Sequence, residues 1–146
     1  MHEEILSSSQ KALLPLVAKF SSDFGLVGGT AIALQVGHRR SIDFEGIVKM
    51  PDLLTLAAMK AFSLGGRAKW KDYVDLYFLF KTLTLSEVVK KAEELFAGEF
   101  NSKLFREQLA YFKDINYAKE IEFLKGFEAS EEEIKEFLEE ISLQKD

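Results

Sequence analysis

The sequence predicts an α+β fold, with a small sheet of two or three strands in residues 1–50 and a mostly helical part in residues 51–146. Two observations support this division. Residues 41–50 alternate between apolar and polar side chains, which is the period of a strand. After Pro51, apolar residues recur at helical spacing almost to the end of the chain. With 146 residues, 47% of them hydrophobic, we expect a single domain with a sizeable core.

The composition excludes several classes of protein. The chain has no cysteine, so it has no disulfide, no thiolate metal site and no cysteine nucleophile, and it suits a reducing cytoplasm. Two histidines are too few for a His-rich metal site. No apolar run approaches the roughly 18–20 residues that span a bilayer, and the opening MHEEILSSSQ is unlike a signal peptide. We therefore expect a cytoplasmic protein that does not enter a membrane.

The first 37 residues are predicted to form helix, strand, turn and helix. Residues 3–20 place apolar side chains on one helical stripe, and Pro15 is expected either to kink this segment or to start a second helix. The short apolar run 25–28 reads as a strand, and Gly28-Gly29-Thr30 then turns into a helix. Such a turn is either an ordinary connection or a phosphate site, because a helix N-terminus offers unpaired N–H groups.

A second strand is predicted over residues 42–49, interrupted only by Gly46. Asp43 and Glu45 share one face of it, about 7 Å apart along the strand. Two like charges so placed repel each other unless a cation lies beside them, and Mg²⁺ favours carboxylate oxygens. The alternative is an exposed strand face with incidental acids.

The part after Pro51 is predicted to contain five helices. They cover about 51–64 and 69–83, a third beginning at Thr84, about 101–113, and a last one beginning at Ser130. Gly65-Gly66 is expected to end the first helix. Glu87 and Glu133 stand three residues after their caps, which is the capping-box pattern. Residues 114–128 show no clear period.

Three charged residues stand out in this helical part. Lys60 lies on the apolar stripe of its helix, so its side chain either extends to the surface or points its ammonium into a pocket suited to phosphate. Asp72 and Asp75 lie one turn apart on one face. Asp72 is explained by the helix dipole, whereas Asp75 lies on an inward stripe and needs a partner. Lys60, Arg67 and Lys69 are candidates for that partner.

Charge is distributed unevenly along the chain. Residues 120–146 contain 10 acidic residues and 3 lysines, a net charge of −7, whereas residues 1–119 contain 16 basic and 14 acidic residues. The basic residues concentrate at 38–40 and 60–71. This concentration suits either a phosphate-bearing ligand or a solvated charged face.

Four motifs in order, over residues 24–80, resemble a known family. The segment LVGGTAIALQVGHRRSIDFE resembles the first motif block of the AbiEii/AbiGii toxin-type nucleotidyltransferases, within the DNA polymerase beta-like superfamily. The segment LAAMKAFSLGGRAKWKDYVDLYFLF resembles the later motifs, a lysine with an arginine seven residues on, then Asp-x-x-Asp. The resemblance implies a reduced nucleotidyltransferase-like core in residues 1–50.

The resemblance also implies a function. Such a protein transfers a nucleoside monophosphate from an NTP to an acceptor, such as tRNA or another RNA, with Mg²⁺ or Mn²⁺ as cofactor. It would act as the toxin of a toxin–antitoxin or phage-defence pair, with a cognate antitoxin as partner. The alternative is an inactive relic that binds nucleotide, RNA or a partner protein, and a third possibility is a purely structural helical interaction domain.

The resemblance assigns roles to matching positions. The catalytic set would be Asp43, Glu45, Lys60, Asp72 and Asp75, of which Asp43 and Glu45 would bind the metal. The nucleotide-binding set would be Gly28, Gly29, Thr30, Arg39, Ser41 and Arg67.

The chain departs from the family pattern in two places. Glu45 stands where a second aspartate is more usual. After Glu45, several dozen residues of further strand and helix are missing, as if two distant strands were joined at Gly46. Two strands make a marginal sheet with exposed edges, so we expect a homo-oligomer in which another copy supplies strands or cover. An intact mass other than 16.6 kDa would instead reveal an omitted segment.

Overall fold

The described part of the chain is helical. The computed structural model describes Ser8, Lys11, Ala12 and residues 27–37, 51–66, 68–117 and 120–144. Six α-helices are defined there: α1 Gly29–Val36, α2 Leu53–Gly66, α3 Trp70–Leu79, α4 Leu85–Phe96, α5 Ser102–Leu109 and α6 Glu131–Ser142. A 3₁₀ turn, Ala97–Glu99, joins α4 to the segment that leads into α5.

Helix α2 is the centre of the packing. It contacts α1, α3, α4 and α5, while α3 also contacts α1 and α6, and α6 contacts α5. The buried apolar residues of α2 are Leu56, Ala57, Ala58, Ala61 and Leu64. Alanines let neighbouring helices approach closely, and a helix that is apolar on most sides is a buried one. Every residue from Asp72 to Leu79 on α3 is buried as well.

The ends of the later helices agree with the sequence prediction in part. The capping box at Thr84 is confirmed, since its hydroxyl accepts from the Glu87 N–H at 3.3 Å and the Glu87 carboxylate accepts from the Thr84 N–H at 2.8 Å. Ser130 caps α6 by accepting from the Glu133 N–H at 3.1 Å. The Glu133 carboxylate accepts from the Tyr77 hydroxyl, and its return bond to the cap is not formed. Only half of the second box is therefore present.

The predicted small sheet is wrong for the residues that the structure describes, because none of them forms a β-strand. Val27 and Gly28, the described end of the first predicted strand, are irregular, and Val27 is 47% exposed. The second predicted strand, 42–49, lies outside the described residues. Two short strands cannot bury enough apolar surface on their own, and here residues from all six helices form the described core. The edge-pairing argument for a homo-oligomer thus has no basis among the described residues.

The segment whose structure the sequence left ambiguous lies between α5 and α6. Its described residues form no helix, and backbone hydrogen bonds attach it to the start of α3. A β-bridge pairs Asn116 with Lys69, with the Trp70 N–H donating to the Asn116 carbonyl at 3.1 Å and the Asn116 N–H to the Ala68 carbonyl at 2.8 Å.

In the part of the chain that the structure describes, no helix combines the length and apolar character that crossing a bilayer requires.

Candidate functional site

The predicted site residues on α2 and α3 form a buried ionic cluster. The Lys60 ammonium lies 2.7 Å from Asp72 Oδ1 and 3.0 Å from Asp75 Oδ2. Lys60 is 4% exposed and both aspartates are fully buried. Among the described residues, these three are the buried charged side chains, and we call them the buried cluster.

Helical spacing explains why these three residues meet. Asp72 and Asp75 are three residues apart, so their side chains project from the same face of α3. Lys60 lies among Ala57, Ala61 and Leu64 on the inward side of α2. Because α2 and α3 pack against each other, one ammonium reaches both carboxylates. Lys60 is thus one partner of Asp75. Of the two alternatives that the sequence left open for Lys60, the structure shows the inward one, with the ammonium on protein carboxylates.

Two opposing effects set the protonation of Lys60. Burial by itself lowers the pKa of the ammonium, because a charge is poorly solvated in an apolar interior. Coulombic attraction to Asp75 and Asp72, and hydrogen bonds to both, act in the opposite direction. They outweigh burial and raise the pKa of Lys60 above its usual value. The cluster therefore holds Lys60 charged at neutral pH.

Tyr73 lies next to Asp72 in the chain and ties α3 to the end of α5. Its hydroxyl donates to the backbone carbonyls of Gln108 at 3.2 Å and Tyr111 at 3.0 Å. Burial, followed by the negative charge of Asp72, raises the pKa of Tyr73 to about 12. The phenol is therefore neutral and a donor at physiological pH.

The cluster geometry does not suit a metal ion at Asp72 and Asp75. One oxygen of each carboxylate contacts the Lys60 ammonium, so a cation already stands where a divalent ion would approach both. No group of three or more metal-ligating side chains is found in the described ranges. The same contacts turn the ammonium toward protein carboxylates, so in this arrangement Lys60 is not presented to a phosphate.

The glycine turn is described from Gly28 onward. Gly28 has φ 85° and ψ −165°, a backbone conformation that residues with a Cβ rarely adopt. Helix α1 begins at Gly29, and Thr30 lies in its first turn. No side chain caps this end, and Gly28 is exposed. The turn therefore favours glycine at position 28, which is compatible with both an ordinary connection and a phosphate site.

The other predicted site residues lie outside the described part of the chain. These are the proposed metal ligands Asp43 and Glu45 and the nucleotide-binding candidates Arg39, Ser41 and Arg67. Their roles stay predictions.

Sequence reasoning missed two polar contacts at the α3–α6 boundary. The Tyr77 hydroxyl donates to Glu133, and Lys81 lies over the rings of Tyr77 and Phe137, at 4.4 and 4.3 Å from the centroids. The one sign of this contact in the sequence is that Tyr77 and Lys81 are four residues apart. Nothing in the sequence relates them to residues more than fifty positions further on.

Comparisons with protein-family models, with curated proteins and with solved structures found no match to this chain.

Proposed function

We propose that this protein is a nucleotidyltransferase that moves a nucleoside monophosphate from an NTP to a hydroxyl of an acceptor, tRNA being the first candidate, with release of pyrophosphate. It would act in the cytoplasm as the toxin of a toxin–antitoxin or phage-defence pair. The proposal starts from the four ordered motifs between residues 24 and 80.

One observation in the structure carries the proposal further. Helix α1, which follows the Gly28-Gly29 turn, packs against both α2 and α3, the helices that carry the buried cluster. Motifs 31 to 47 residues apart in the sequence thus belong to one packed unit. This arrangement supports a shared role for the turn and the cluster, as a nucleotide site requires.

The residues would divide the work as follows. Gly28, Gly29 and the first turn of α1 would hold the triphosphate through backbone N–H groups. Asp43 and Glu45 would hold Mg²⁺ or Mn²⁺, which supplies charge stabilisation to the reacting phosphate. The buried cluster would act as a positioning element, fixing α2 against α3 behind the site. In this proposal Lys60 orients structure and does not contact substrate.

A specific observation favours a second candidate function. With its ammonium 4% exposed and in contact with two carboxylates, Lys60 is withdrawn from any substrate. A protein that kept the glycine turn but lost a phosphate-contacting lysine would bind a nucleotide, an RNA or a partner protein such as an antitoxin without catalysing transfer. This is the inactive-relic hypothesis.

A transfer assay separates the two functions. The protein is incubated with each α-labelled NTP, Mg²⁺ or Mn²⁺, and total tRNA, and incorporation into RNA is measured. Asp43→Ala is the test variant. Asp114→Ala is the matched control, because Asp114 is an exposed aspartate whose only described contact is the Tyr111 hydroxyl. NTP-dependent thermal shift is measured in parallel as a readout of binding.

The outcomes are distinct. Incorporation that Asp43→Ala abolishes and Asp114→Ala retains supports the transferase. A thermal shift with NTP but no incorporation under any condition supports the binding protein. If NTP neither shifts the melting temperature nor labels RNA, the transferase fails, and so does the binding protein in its nucleotide-binding form.

A further inference from the structure

A groove lies between the start of α3, the irregular segment before α6, and the start of α6. Its volume is about 390 Å³. The residues that matter here are Trp70, Tyr117, Ile121, Phe123, Glu120 and Glu131, and we call this the aromatic groove. It contains no residue of the buried cluster and none of the glycine turn, so it is independent of the proposed transferase site.

The aromatic side of the groove is held in place. The ring centroids of Trp70 and Tyr117 are 5.5 Å apart at an interplanar angle of 30°. The Trp70 ring also stacks on Tyr73, with centroids 6.3 Å apart, and its backbone N–H donates to the Asn116 carbonyl. Tyr117 remains 44% exposed. Two fixed aromatic rings, one of them accessible, therefore line the opening.

The polar side of the groove is acidic. Glu120 and Glu131 both line it, and Glu131 accepts a 2.8 Å hydrogen bond from the Tyr117 hydroxyl. The surrounding region, residues 120–146, has a net charge of −7. This field repels phosphate and attracts cations, so a nucleotide or an RNA backbone does not suit the groove.

The chain itself shows that this setting accepts a cation. Lys135 pairs with Glu131, and its ammonium lies 6.0 Å from the Trp70 ring centroid and 5.6 Å from that of Phe112. These distances fall within the range of a cation–π contact. An arginine suits the remaining space better than a lysine does, because its planar guanidinium stacks on aromatic rings and forms paired hydrogen bonds with a carboxylate.

We propose that the aromatic groove binds an arginine side chain carried by a basic segment of a partner protein. The guanidinium stacks on the Tyr117 and Trp70 side and bonds to Glu120, while the apolar stem lies against Ile121 and Phe123. The volume also admits part of the neighbouring residue of the segment, as pockets of a few hundred Å³ do.

The groove contains its own reporter. Trp70 is the single tryptophan of the chain, so its fluorescence responds to this site. The full chain is titrated with a blocked Gly-Arg-Gly-Arg-Gly peptide and with the same peptide carrying citrulline for arginine, which keeps the shape and removes the charge. We expect a saturable emission change with the arginine peptide and about tenfold weaker binding of the citrulline peptide.

Variants locate the binding. Glu120→Gln and Tyr117→Leu should each weaken the arginine peptide about fivefold or more, as expected for a charge-assisted hydrogen bond and a stacking contact. Glu132→Gln is the matched control, because it removes the same charge from the start of α6 without lining the groove. Circular dichroism checks that each variant is folded, and calorimetry repeats the affinities without using fluorescence.

Several results would overturn the proposal. These are the absence of a saturable change up to about 1 mM peptide, equal binding of the citrulline peptide, or a Glu132→Gln loss as large as that of Glu120→Gln. The last would mean diffuse attraction to the acidic region. Light scattering is run alongside, and a dimer that the arginine peptide dissociates would assign the groove to a second copy of the chain instead. Neither nucleotide nor metal enters these measurements, so failure of the transferase proposal leaves the result intact.

Discussion

Helices α3 and α6 both carry acidic residues, yet they use charge in opposite ways. On α3, Asp72 and Asp75 are fully buried and meet Lys60 from α2. On α6, Ile134, Leu138 and Ile141 are buried and the glutamates face outward. Buried charge makes α3 depend on compensation from oppositely charged groups, Lys60 among them, whereas α6 depends on apolar area and tolerates changes on its charged face.

The physical reason is the cost of desolvation. A charge removed from water must be compensated by close opposite charge and hydrogen bonds. Removing one partner of a pair therefore leaves the other buried charge with its full desolvation cost. An exposed glutamate keeps its water and contributes little by itself. Four predictions test this difference, in order of decreasing expected effect.

The largest effect is expected for Lys60→Met. This change removes the cation that both buried carboxylates contact, and the free energy of unfolding should fall by about 3–5 kcal/mol. Urea denaturation followed by circular dichroism measures it. The triple variant Lys60→Met, Asp72→Asn, Asp75→Asn removes all three charges and should recover at least half of the loss. A triple variant as unstable as the single one would show that the cluster acts by packing and not by charge.

The next effect concerns the apolar stripe of α6. Leu138→Ala removes a fully buried side chain and should lower the free energy of unfolding by about 2–4 kcal/mol through lost transfer energy and a cavity. Glu140→Gln, two residues on and exposed, should change it by less than about 0.5 kcal/mol. Equal effects of the two changes in urea denaturation would contradict the orientation of this helix.

The stability that buried groups of the α3 region contribute should fall at alkaline pH. Burial raises the pKa of Tyr73 and of Tyr77 to about 12, from an ordinary value of 10.0. The folded protein then holds these protons more tightly than the unfolded chain does, so stability is complete below pH 10 and is lost as the pH rises toward 12. Lys60, whose pKa is also raised, adds to the loss in the same direction.

The measurement is the urea midpoint followed upward from neutral pH. Tyr73→Phe should make the midpoint less steeply dependent on pH between 10 and 12. The change also removes the hydrogen bonds of the Tyr73 hydroxyl to two backbone carbonyls, and that loss applies at every pH. A midpoint that is flat across this range in the unmodified protein would contradict the assigned burial of both phenols.

The smallest effect is expected at the helix caps. Thr84→Ala removes a complete capping box and should cost about 1 kcal/mol. Ser130→Ala should cost less, because Glu133 bonds to Tyr77 and not back to the cap. Thermal or urea denaturation of the two variants compares them directly. A larger loss for Ser130→Ala would contradict the half-formed box.

The helical part could largely be predicted from sequence because its signals are local. The Thr84 cap, the Ser130 cap and the stripe of α6 each follow from residues within one or two turns. The predicted helix over 69–83 was too long, since α3 ends at Leu79, and the one over 101–113 ends at Leu109.

In the candidate site too, local spacing predicted one part and contacts between helices decided the other. Spacing placed Asp72 and Asp75 on one face, and the apolar stripe of α2 left two orientations open for Lys60. Spacing also left three basic candidates for Asp75, and the packing of α2 on α3 brings one of them, Lys60, into contact with it. Among the described residues the sheet prediction failed at Val27 and Gly28, because a short apolar run does not show whether a neighbouring strand exists to pair with it.

The sequence by itself determined the helices, their caps and the inward faces of α2, α3 and α6, because these depend on residues three or four positions apart. Only the tertiary structure decided that one ammonium serves two buried carboxylates, that helices supply the described core, and that Trp70 meets Tyr117 across a groove. Those contacts join residues 12 to 47 positions apart, and their free energy exists only once separate helices have packed together.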